Sequence, residues 1–176
     1  NTTASGNTST AMGDGTTASG YASTAMGRNT TVSGSFSTAM GDGTTASGNL
    51  STAIGYDSNA SGQVSTAMGF GTISSGNVST AMGWYTTASG ATSTATGRYT
   101  TASDYASTVI GQYNSSGSSA TNSATAFNTA NTAFVIGNGA DDSNRSDAFK
   151  VMFNGDATVS NDLNVNGDVT VSSDAR

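Results

Sequence analysis

The 176-residue chain carries few charges, 9% against a usual figure of about 25%, and few apolar residues, 34% against about 45–50%. It has no Cys, which excludes a disulfide framework and thiolate chemistry, and its net charge of −6 offers nucleic acid or an anionic membrane no basic surface. With no His and no Glu, acid–base or nucleophilic chemistry would fall to Asp or to the lone lysine, Lys150, so the chain reads as non-enzymatic, without cofactor or metal.

Disorder does not fit either, because disordered chains use Pro, Glu and Lys, which are absent or nearly so. No apolar run approaches the roughly 20 residues of a membrane helix. The small residues instead follow a period. Ser-Thr-Ala-Met-Gly starts at Ser9, Ser23, Ser37, Ser51, Ser65, Ser79, Ser93 and Ser107, always 14 residues apart, with Ile54, Thr96, Val109 and Ile110 as variations. Ala-Ser-Gly lies between these copies, from Ala4 through Ala18, Val32, Ala46, Ala60, Ser74 and Ala88 to Ala102, where Asp104 replaces the Gly.

Two or more glycines and several threonines per repeat argue against helix and for two short strands joined by turns. Alternation puts Ser9, Ala11 and Gly13 on one face of the first strand, and Thr10 and Met12 on the other. Inner faces of Ala, Gly and Ser predict a narrow coil, one per repeat, stacking at about 4.8 Å. Met12, Met26, Met40, Ile54, Met68, Met82, Thr96 and Ile110 then form an apolar column outside the coil, with Thr96 its weakest member. Fully burying such a column is worth about 10 to 20 kcal/mol per chain before ordering and association costs, so several chains are expected to meet on it.

The pattern Ser-x-Ala-φ-Gly-x-x-(Ser/Thr)-x-Ala-x-Gly-x-x, seen from Ser23 to Phe36 with Val32 for the second Ala, resembles the head repeat of YadA-like trimeric autotransporter adhesins. The resemblance covers residues 1–112. It implies an all-β, left-handed parallel β-roll in an extracellular homotrimer, with the Met12 column at the position of the family's axial Ile. The general preference for right-handed crossovers would have suggested the other hand.

Residues 113–131 break the phase and read as a transition. Beyond them, strands are expected at Ala133–Ile136, Ala148–Phe153, Ala157–Ser160, Leu163–Val165 and Val169–Val171, with two-residue type I′ turns at Asn154-Gly155 and Asn166-Gly167. Phe127, Phe134, Phe149, Val151 and Phe153 are the expected core of this small hairpin-rich tip, residues 132–176. Its sequence resembles the region preceding the intramolecular chaperone of phage endosialidases and tail fibres. In that family a Ser-Asp bond is cut with the help of a downstream Lys. Ser173-Asp174 matches the junction, and the sequence reaches Arg176 without that Lys, so self-cleavage of this chain alone is not expected.

Together these readings point to a surface or tail fibre that mediates adhesion to a host or prey receptor, glycans included. The outward Tyr56, Phe70 and Trp84, with Tyr85, Tyr99 and Tyr113 beside them, are the candidate ligand surface, or else a ladder that only stabilises the stack. Leu50, Val64 and Val78, with Phe36, read as buried packing, and Asp14, Arg28 and Asp42 as an exposed ion ladder. Asp141–Asp147 has oxygens for Ca²⁺ but not the spacing, and Arg145 sits in its middle. Two alternatives stand beside adhesion: a passive spacer, and an ice-binding ladder of Thr16, Thr30, Thr44, Thr72, Thr86 and Thr100.

Overall fold

The structure, a computed structural model, describes residues 1–117 and 119–166. Each 14-residue turn lays down a five-residue strand and a two-residue strand. The long strands run from Thr10–Asp14 to Thr108–Gln112, and each pairs in parallel with those one turn away. Their register never slips: Ala25 faces Ala39, Met26 faces Met40 and Gly27 faces Gly41. The short strands, Thr3–Ala4 to Thr101–Ala102, form a second parallel sheet of eight. No helix occurs among the described residues, so the expected all-β parallel roll of 14-residue coils is the fold.

Its interior is built from the columns of Ala25 and Ala18, fully buried from Ala18 onward, and from the Ser23 column, in which Ser23, Ser65, Ser79 and Ser107 donate to the carbonyl three residues back, at 2.8 Å for Ser23 to Gly20. The coil is roomier than its small-residue faces suggest. Val32, Val109 and the Thr16 column from Thr16 to Thr100 are also fully buried, because the corner between the two strands folds the Thr inward. Glycine has a steric reason at the strand end: a Cβ on Gly41, where φ is 128°, would overlap the carbonyl oxygen of Gly55 one turn on.

Two corners per coil carry residues in left-handed conformation, and many of them are not glycine. Before the long strand stand Ala22, Phe36, Leu50, Val64 and Val78, with φ from 49° to 59°. After it stand Asn29, Asp57, Tyr85 and Tyr99. Each corner amide donates to a carbonyl of the preceding coil, at 2.8 Å for both Val64 to Asn49 and Tyr85 to Phe70. These bonds hold a conformation that L-residues resist.

The long sheet outruns the short one and reaches eleven strands. Thr132–Asn138 pairs in parallel with Thr108–Gln112, setting Val135 on Val109, Ile136 on Ile110 and Gly137 on Gly111. This is a ninth rung, delayed by the inserted segment that includes residues 115–131. Among the described residues the short sheet has no ninth strand: the Ser103 amide donates to the Gly117 carbonyl at 2.9 Å, and side chains close the rest of the edge. Asn114 donates to the Thr101 carbonyl at 2.9 Å and accepts from its amide at 2.8 Å, in place of a backbone partner. Buried Asp104 accepts from the Thr132 amide at 2.7 Å and the Thr121 hydroxyl at 2.8 Å.

Asp147–Met152 and Ala157–Val159 then add antiparallel strands. The turn between them differs from expectation. Gly155 alone has positive φ, and its amide donates to Met152 while Met152 donates to Asp156, which is a three-residue loop rather than a two-residue type I′ turn. Leu163–Val165 forms no strand, and Leu163 is 71% exposed. Phe134, Phe149, Val151 and Phe153 are half-buried, but Phe127 is 62% exposed, held only edge-on against Phe153 at 5.3 Å, so it is not core within one chain. The expected Val169–Val171 strand, the Gly167 half of the second turn and the Ser173-Asp174 junction lie outside the described residues.

Candidate functional site

The outer face of the long sheet carries the apolar column. Met12 is 56% exposed, Met68 40%, Met82 37% and Ile110 37%, while Met26, Met40, Ile54 and Thr96 are half-buried by their neighbours along the stack. Among the described residues nothing covers this stripe, because the interior is already filled by Ala, Ser, Thr and Val. Ile136 extends it to the ninth rung and was not anticipated. Its signal was present, since Val109-Ile110-Gly111 recurs as Val135-Ile136-Gly137.

At the strand's C-terminal corner the aromatic residues form one continuous array. Tyr56, Phe70 and Trp84 stack nearly parallel, with centroids 4.7 and 4.3 Å apart. Tyr85, Tyr99 and Tyr113 stack at 5.1 and 4.7 Å, and Tyr85 joins the two columns edge-on to Phe70 and Trp84. Arg98 lies over Tyr99 and Tyr113, and Arg145 over Tyr113 as well, which is nearly buried. Face-to-face stacking covers both faces of Phe70. The array therefore leaves open the outer faces of Tyr56 and Trp84 and the ring edges, not six separate platforms.

The Thr16, Thr30, Thr44, Thr72, Thr86 and Thr100 ladder is 0% exposed, so it has no hydroxyl array to present to ice. Phe36, Leu50, Val64 and Val78 are the reverse case: expected to be buried, they are 44–58% exposed because the left-handed corner turns them out of the coil. In the charged column Arg28 and Asp42 are paired. The hydrogen bond between them raises the Arg28 pKa and lowers that of Asp42. Asp141 accepts from the Asn144 side chain at 3.0 Å and from the Ser143 and Asn144 amides at 2.9 Å, which hold its carboxyl below the usual range. Asp142 pairs with Arg145 at 2.6 Å. These carboxylates brace a local turn.

Where the long sheet outruns the short one, a polar cleft of about 490 Å³ opens, lined by Asp147, Lys150, Ser146, Thr158 and Ser160 among others. Asp147 is committed there, accepting from the Ser115 and Ser116 amides at 2.8 Å. Lys150 has no ion-pair partner among the described residues.

Residues 4–30, 18–44, 46–72, 60–86, 74–100 and 88–114 match the family described as the YadA head domain repeat, two copies to a match. No curated protein matches the chain. The matched windows begin and end with the coils seen in the fold and cover more than half of the sequence, and on that ground the chain belongs to the YadA head repeat family.

Proposed function

We propose that this chain is a segment of a homotrimeric extracellular fibre that mediates adhesion. One observation carries the reading: an apolar column running the length of the roll lies outside a coil that has no room for it. Three copies meeting on Met12, Met26, Met40, Ile54, Met68, Met82, Thr96 and Ile110 hide it from water, with Ile136 continuing the seam. Membership of the YadA head family supports the same assembly. Light scattering or sedimentation on the chain should give three times its 17.3 kDa mass, and folded single copies at micromolar concentration would refute the trimer.

The surface left for a receptor comprises the edges of Tyr85 and Tyr99, and the tip. Binding of the fibre to a glycan array or to host cells, lost in Tyr85→Ala, supports recognition at that surface. Silence of the intact trimer in both assays leaves the passive spacer. The organisation we propose is a roll over 1–112, a transition over 113–131 and a tip over 132–176 that adjoins a removable chaperone at Ser173-Asp174. Intact mass of the chain expressed with downstream sequence should reveal a new C-terminus at Ser173.

A further inference from the structure

We infer that the two corners flanking the methionine column are the two halves of one interface, in which the aliphatic corner of each copy packs against the aromatic corner of the next. This rests on the proposed trimer and adds to it which side chains close its seams.

The corners are apolar together on the same coils. Leu50 and Tyr56 flank the strand Thr52–Tyr56, Val64 and Phe70 flank Thr66–Phe70, and Val78 and Trp84 flank Thr80–Trp84. On the coils toward the N-terminus the pairs are Thr8 with Asp14 and Ala22 with Arg28, and toward the C-terminus Thr92 with Arg98 and Ala106 with Gln112. As the aromatic side grows from Phe70 to Trp84 the aliphatic side stays small. Phe36 is the exception: it is 58% exposed, touches Tyr21 edge-on at 5.2 Å, and has Asp42 rather than an aromatic ring at the other end of its strand.

Conformation gives an independent reason. Val64 and Val78 hold φ of 58°, which a β-branched residue strongly disfavours, yet they are 44% and 54% exposed in the single chain. Gly or Asn would fit that corner without strain and would be better solvated. An apolar side chain kept at a strained, exposed corner needs a surface to bury it, and within one chain the opposite corner is about 20 Å away along the strand. Threefold rotation about the methionine column supplies one. It carries the C-terminal corner of one copy against the N-terminal corner of the next, and pure rotation keeps equal coils level.

The chain has no Cys and one Trp, so both tests start from a clean background. The double variant Val64→Cys with Phe70→Cys, treated with a short bifunctional maleimide, should run as covalent trimers, while each single variant stays monomeric on a denaturing gel. A protein of trimeric mass whose double variant cross-links no more than the singles overturns the corner pairing and leaves the trimer standing. Single variants that cross-link to themselves overturn it too, since like corners would then meet. A wild-type protein of monomeric mass removes the trimer and this inference together. Val78→Asn, which relieves the corner strain, should raise iodide quenching of Trp84 at least twofold in the intact trimer. Unchanged quenching overturns the inference, because these two residues can touch only across copies.

Discussion

Replacing Gly41 by Ala tests the stacking geometry at one point. A Cβ there overlaps the Gly55 carbonyl oxygen and stands 2.9 Å from its carbon and 3.1 Å from its nitrogen, where ordinary contact begins at 3.4 Å. The obstacle is backbone, so the two coils must part. The flanking amide bond from Thr38 to Ser51, now 3.0 Å, then stretches past the roughly 3.6 Å at which it fails. Losing two or three such bonds at about 1 kcal/mol each, with about 1–3 kcal/mol for an alanine at that φ, gives a cost of about 3–6 kcal/mol. Gly43→Ala is the control two residues away. Its φ of 66° is shared by Asn29, Asp57 and Tyr85 in the same column within about 20°, and its Cβ meets only the movable Asp57 carboxylate. An alanine in left-handed conformation costs about 1–2 kcal/mol, offset by about 0.4–1 kcal/mol from a stiffer unfolded chain, so the net effect is within about 1.5 kcal/mol. Urea unfolding gives both numbers, and amide exchange should show Gly41→Ala losing protection at the coils on either side of the step. Equal stability of the two variants would refute the argument that backbone contact between coils dictates glycine at this column.

Phe70→Leu removes two stacked contacts and should lower stability by about 1–3 kcal/mol in urea unfolding, with or without any ligand. Asp104→Ala leaves the buried Thr132 amide without its acceptor and should cost about 1–3 kcal/mol, read as faster exchange at Thr121 and Thr132. Thr96→Met fills the weak rung of the column and should raise the melting temperature of the trimer, while Met40→Asp should abolish the trimer in sedimentation. Asp42 has a folded pKa below its unfolded value, so its pair with Arg28 contributes above about pH 3.9 and is lost as pH falls through the folded value. The melting difference between wild type and Asp42→Asn should therefore vanish in acid, and also shrink in about 1 M salt.

The sequence alone determined the coil. A strict 14-residue period with a methionine between two small residues leaves alternation no other way to sort inside from outside, so the roll, its register and its outer apolar column were legible. Tertiary structure decided what happens where the chain turns. Left-handed corners reversed the facing of two columns, burying Thr16 and exposing Val64, because side-chain direction at a corner follows the corner's dihedral angles rather than strand alternation. The ninth rung was hidden by the insertion before Ile136, and the closing roles of Asn114 and Asp104 depend on amides distant in sequence. Periodicity reports what repeats, and an end cap, by its nature, occurs once.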